Sequence, residues 1–152
     1  MEKFNNMLVV MKKSLIEIDL AIKGYIVMSE TLDSMYLSIL NNQVPKNWMA
    51  VAYPSLKVLS LWYPDLIERV ATMDTWLKNG NPTSYWLPGM FFPQGFMTGV
   101  LQTHARQHKI AIDMLAFHFT IMEAETPEEI DQEPEDGVYV YGLFIDGARW
   151  DR

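Results

Sequence analysis

Apolar residues Phe4, Leu8, Met11, Leu15, Ile18 and Ile22 recur at alternating steps of four and three, with Lys12, Lys13, Glu17, Asp19 and Lys23 on other faces. That spacing predicts an amphipathic helix ending near Gly24. A second helix is expected from Glu30, capped by Ser29, with Leu32, Met35, Tyr36, Ile39 and Leu40 turned inward and a stop before Pro45. From Pro54 the series Leu56, Leu59, Tyr63, Leu66, Val70, Met73 and Leu77 keeps helical spacing up to the stop at Asn79-Gly80-Asn81-Pro82. Pro64 interrupts it. Proline lacks an amide donor and clashes with the preceding turn, at a cost of about 3 kcal/mol, so a kink or two shorter helices are expected there.

Residues 85–96 set five aromatics among Pro88, Gly89, Pro93 and Gly95. Those prolines and glycines argue against a regular element, and the aromatics ask for burial, which predicts an ordered loop packed into the core. Pro93 suits the first turn of a further helix with Phe96, Val100, Leu101, Ala105 and His108 in its stripe. After Lys109 the period changes to two. Leu115, Phe117, Phe119 and Ile121 alternate with Ala116, His118, Thr120 and Met122, as in a strand with one buried face. Val138 and Val140 repeat the pattern, and Asp146-Gly147 supplies a hairpin turn ahead of Arg149 and Trp150. The expected fold is α+β: an N-terminal bundle of four to five helices over 1–110, then a partial antiparallel sheet or barrel over 111–152.

Charge changes this picture in one place. The chain has 12 basic and 19 acidic residues, and eight of the acids lie within 123–136, a stretch with no Lys or Arg. It reads as a solvated acidic loop. No basic stripe offers a nucleic-acid surface. No apolar run approaches the 18 or so residues of a membrane span, and the opening MEKFNN is no signal peptide. With no cysteine, thiolate metal sites and a cysteine nucleophile are excluded; the whole suits a soluble intracellular protein without nucleic-acid or membrane partners.

Specific catalytic patterns are missing from the sequence. There is no Gly-rich phosphate loop ending in Gly-Lys-Ser/Thr and no Gly-x-Ser-x-Gly elbow. His104 and His108 stand four apart on the last expected helix, which brings two imidazoles to one side, and Asp113 or His118 is conceivable as a third metal ligand. Ala105 occupies the position where zinc proteases carry Glu. A small metal-dependent enzyme using His104, His108 and Asp113 is the alternative to a noncatalytic structural piece, which the five tryptophans and eleven methionines favour as core and interface material.

Three stretches carry a resemblance: VPKNWMAVAYPSLKVLSLW (44–62), YWLPGMFFPQGFMTGVLQTHAR (85–106) with Ile112-Asp113 after it, and EDGVYVYGLFIDGARWD (135–151). They resemble the C-terminal region of dynein heavy chains, axonemal more than cytoplasmic, and the helical opening is similar to the start of that region. The resemblance implies a segment of a minus-end-directed, ATP-driven microtubule motor. In that family the region follows a ring of AAA+ modules, combines helices with a small antiparallel β-barrel, and braces the ring. It implies the ring modules and other dynein subunits as partners, no cofactor in this polypeptide, no direct microtubule contact, and a place in the cytoskeleton of the ciliary or flagellar axoneme. Packing or ring contact is expected of Trp48, Tyr53, Pro54, Trp86, Phe91, Phe92, Gln94, Arg106, Asp113, Gly147, Arg149 and Trp150, with Arg149 suited to a bidentate pair with a carboxylate. Pro64 and Pro88 depart from the family pattern, which runs on past the position of Arg152. The polypeptide is therefore expected to be a shortened form, its last strands leaving an unpaired edge.

Overall fold

The computed structural model describes residues 2–143. Among these, five α-helices and two short strands follow one another as α1 (Glu2–Ile22), α2 (Glu30–Leu40), α3 (Lys46–Met49), α4 (Leu59–Asn79), β1 (Ser84–Trp86), α5 (Pro93–His108) and β2 (Tyr139–Tyr141). Single 3-10 turns occupy Leu87–Gly89, Ile112–Met114 and Pro127–Glu129. Two compact units divide the polypeptide, 1–74 and 75–152. Among the described residues no helix is long and apolar enough to cross a membrane.

In the first unit α1 buries Phe4, Met7, Met11, Ser14, Ile18 and Ala21. This line shares Phe4, Met11 and Ile18 with the expected stripe but leans one residue the other way, leaving Leu8, Leu15 and Ile22 exposed. The reason is polar. The Trp48 indole Nε1 donates to Ser14 Oγ at 2.8 Å, and the Ser14 hydroxyl donates to the Met11 carbonyl at 3.0 Å. A small hydroxyl residue thus lies at the centre of the face, because burying an indole N–H without an acceptor costs about 1–3 kcal/mol. Ser29 caps α2, its Oγ accepting from Leu32 N at 3.3 Å, and that helix buries Leu32 and Met35.

α4 runs unbroken through Pro64 rather than dividing into two helices. Proline withdraws one donor from the ladder, and twenty other residues sustain the element. The start moves to Leu59, and Leu56 is fully exposed. The beginning of α4 is held from a distance: Leu59 N donates to the Asn42 carbonyl (3.0 Å) and Ser60 N to Asn42 Oδ1 (2.8 Å), while Asn42 Nδ2 donates to Ser60 Oγ (3.0 Å). Asn42 itself has φ +56°, a left-handed conformation that asparagine tolerates better than most residues.

In the second unit the sheet differs from expectation. β1 and β2 pair in parallel, with Ser84 opposite Tyr139, Tyr85 opposite Val140 and Trp86 opposite Tyr141. The expected antiparallel sheet or barrel is not what the described residues form. β2 takes its partner from before α5, and a crossover through a helix and a long connection delivers a parallel neighbour. Residues 84–86, which overlap the stretch read as irregular, are one of the two strands. The alternating 115–122 segment is no strand: its backbone joins no ladder, and Phe119 and Ile121 are exposed. Period two marks a face that would profit from burial, but a strand needs a partner edge as well. The hairpin turn at Asp146-Gly147 lies outside the described residues.

Candidate functional site

Two constellations of side chains stand out, one in each unit. In the first, the Tyr53, Trp62 and Trp48 rings form a stack, with centroids 5.9 Å apart between Tyr53 and Trp62 and 6.1 Å between Trp62 and Trp48. All three are buried. Beneath them Asp65, 6% exposed, gathers three donors: Tyr53 Oη to Oδ2 at 2.8 Å, Arg69 Nε to Oδ2 at 2.8 Å and Lys57 Nζ to Oδ1 at 2.6 Å. Asp65 and Arg69 lie one helical turn apart on α4, the spacing that brings opposite charges together. The guanidinium of Arg69 also lies 3.9 Å from the centroid of the Tyr53 ring. Burial works to raise the Asp65 carboxyl, yet the hydrogen bonds from Arg69, Lys57 and Tyr53 prevail and hold it below the usual carboxylate range. The Tyr53 hydroxyl moves the opposite way, pushed well above the phenol range by burial and by the carboxylate beside it. A carboxylate kept ionised and a phenol kept neutral make a fastening rather than an acid–base pair poised near neutrality.

In the second unit, Tyr85 packs edge-on against Trp76 (5.2 Å) and at a tilt against Phe96 (4.9 Å). Burial, with Glu133 adding a smaller effect, raises its hydroxyl above the usual range. The same residues line a broad cavity with His104 and the acidic residues Glu133, Glu135 and Asp136. His104 and His108 stack at the end of α5, ring centroids 4.2 Å apart and 30° between planes. Asp136 Oδ1 lies 3.1 Å from His104 Nδ1 and 3.0 Å from His108 Nε2. The carboxylate that the fold brings to the histidine pair is therefore Asp136. Asp113, the expected third member, is exposed on the 3-10 turn at Ile112–Met114, and the enzyme reading built on His104, His108 and Asp113 finds no support in this geometry.

Of the residues singled out from sequence, Trp48 and Tyr53 are buried in the first constellation, while Pro54 beside them is exposed. Trp86 and Phe91 are half-buried. Phe92 is 65% exposed, against the expected burial. It is the residue before α5, and its ring lies over Gly95, where an added Cβ would come within 2.4 Å of it. Gln94 and Arg106 are exposed on α5. Gly147, Arg149 and Trp150 lie outside the described residues. Asp65 and Arg69 were not expected from sequence, although their i, i+4 spacing was legible; they flank the stripe residue Leu66 and resemble ordinary solvent-facing charges. Asp136 was hidden within a run of like charges.

Comparison with known proteins covers both units. The family model for the C-terminal domain of the dynein heavy chain matches residues 1–152. Human dynein axonemal heavy chain 6 is 46% identical over 169 aligned residues, covering 99% of the present polypeptide. Human dynein axonemal heavy chain 1 is 46% identical over 98% of it, and human dynein axonemal heavy chain 12 is 41% identical over all of it. The polypeptide spans only 4–5% of the length of these relatives. A match along its full length, at this identity, shows that it belongs to the family of C-terminal domains of dynein heavy chains.

Proposed function

We propose that this polypeptide serves as the noncatalytic C-terminal segment of an axonemal dynein heavy chain, the ATP-driven, minus-end-directed microtubule motor of cilia and flagella. On this reading it braces the ring of AAA+ modules and modulates how the motor works, within the axoneme and alongside the other dynein subunits. The observation that carries the reading is the similarity, across 98–100% of the sequence, to relatives whose names are dynein axonemal heavy chains. Its physical support is a second apolar line on α1. Leu8, Leu15 and Ile22 repeat every seven residues and are 37%, 43% and 60% exposed. Regularly spaced exposed apolar side chains mark a surface suited to a protein neighbour.

The test is a graft. In an axonemal heavy-chain motor whose own C-terminal domain is replaced by this polypeptide, microtubule gliding velocity and microtubule-stimulated ATPase should return toward those of the intact motor. Leu15→Glu with Ile22→Glu in the graft should undo the recovery. Identical velocities with the graft and with no domain at all would defeat the proposal.

A further inference from the structure

We propose that His104, His108 and Asp136 form a binding site for a divalent first-row transition metal ion, of the zinc class, that fastens the acidic segment before β2 to the end of α5. The site stands apart from the motor reading and assigns the ion a structural role. Three donor atoms converge: one ring nitrogen of His104, one of His108 and a carboxylate oxygen of Asp136 all lie within 4.8 Å of one another. Both imidazoles bring a ring nitrogen close to the same oxygen, at 3.1 and 3.0 Å. A tetrahedral ion holding nitrogen and oxygen donors at about 2.0–2.2 Å separates them by roughly 3.3–3.5 Å. Capture thus asks each nitrogen–oxygen pair to open by only a few tenths of an ångström.

The covalent framework supports this. Residues four apart on a helix project to one side, so α5 presents the two imidazoles together over its last turn. Lys109 then takes φ +55° and closes the helix, its amide donating to the Ala105 carbonyl. The backbone returns after the acidic stretch, tied on the way by the Thr83 hydroxyl donating to the Ile130 carbonyl at 2.7 Å. It sets Asp136 over the pair three residues before β2. Two imidazoles and one carboxylate suit zinc, iron(II), cobalt or nickel rather than calcium or magnesium. Glu133 and Glu135 line the adjoining cavity and add negative charge toward which a cation is drawn. On capture the nitrogens facing Asp136 give their lone pairs to the ion, and each neutral ring keeps its proton on the other nitrogen. Water completes the coordination.

The experiment uses the untagged protein stripped with a chelator. Calorimetric titration with zinc chloride should give one ion per molecule, and cobalt(II) should give the visible absorption of a low-symmetry nitrogen–oxygen site. His108→Ala and Asp136→Asn should each weaken zinc binding at least about tenfold, while Asp113→Asn and His118→Ala leave it unchanged. The proposal falls if zinc does not bind in a one-to-one ratio, or if both site variants bind as the parent does. Should either variant fail to fold, the parent still decides: zinc must shift the imidazole resonances of His104 and His108 and leave those of His118 in place. Unmoved His104 and His108 signals would overturn it.

Discussion

Asp65→Ala is the substitution whose consequence the structure defines best. The carboxylate is 6% exposed and Arg69 8% exposed, so the pair is screened little by solvent. Removing one partner of a buried ion pair costs about 3–5 kcal/mol, because the remaining charge keeps its desolvation penalty. Lys57 adds little to this, since its side chain is 50% exposed and an exposed partner contributes about 0–1 kcal/mol. The expected loss is therefore about 3–5 kcal/mol. Replacing both charges, as in Asp65→Ala with Arg69→Met, should recover a substantial part of it. Urea unfolding of the 152-residue polypeptide, followed by tryptophan fluorescence, reports on this directly because Trp62 stacks between Trp48 and Tyr53. The pH dependence supplies a second check. The folded carboxyl lies below its ordinary value, so its contribution is present above that value and disappears as pH falls through the lower folded one. The stability gap between the parent and Asp65→Asn should thus be full near neutrality and should narrow as the solution is taken below about pH 4. A loss under about 1 kcal/mol for Asp65→Ala, or a gap to Asp65→Asn that stays constant into acid, would refute the argument, since it needs the charge to be buried and ionised at once.

Two further outcomes follow from local geometry. Asn42→Ala removes the side-chain acceptor at the start of α4 and should cost about 0.5–2 kcal/mol, read by thermal unfolding in far-UV circular dichroism; an unchanged midpoint would mean that the Ser60 amide finds water equally good. Gly89→Ala and Gly99→Ala should have opposite signs. At Gly89 a Cβ would come within 2.1 Å of the Trp86 ring, so overpacking should cost about 1–3 kcal/mol and alter the near-UV spectrum. At Gly99, inside α5 with nothing within 4 Å, alanine should stabilise by about 0.5–1 kcal/mol.

The helices were legible because their signals are local. Ser29 followed by a helical stripe, the breaker at Asn79-Gly80-Asn81-Pro82 and Pro93 at a first turn all act within a few residues. α2, the end of α4 and the start of α5 fall where those residues put them. The orientation of α1 was not legible to one residue. Its face is set by a hydrogen bond between residues 34 apart in sequence, Trp48 to Ser14, and a hydrophobicity pattern gives a serine no reason to be buried. The same blindness hid Asp65 and Arg69. Each is polar by composition and interior by partnership.

The β structure and the histidine site failed for a related reason, which is that both depend on a segment returning from far along the sequence. Alternation at 115–122 was genuine, but a period carries no information about which edge is available. The edge of β1 went instead to Tyr139–Tyr141, from the far side of the acidic stretch. That same return carries Asp136 to His104 and His108, a separation of 28 residues from the nearer of them. Nearby Asp113 was the natural choice when distance in sequence stood in for distance in space. Pairing β1 with β2 and bringing Asp136 to the imidazoles thus both depend on the return of one segment. Disturbing the parallel pair with Trp86→Ala or Tyr141→Ala should loosen the histidine site as well, even though neither residue belongs to the trio. Both variants should then take up zinc more weakly than the parent in the calorimetric titration, and parental affinity in either would separate the two events.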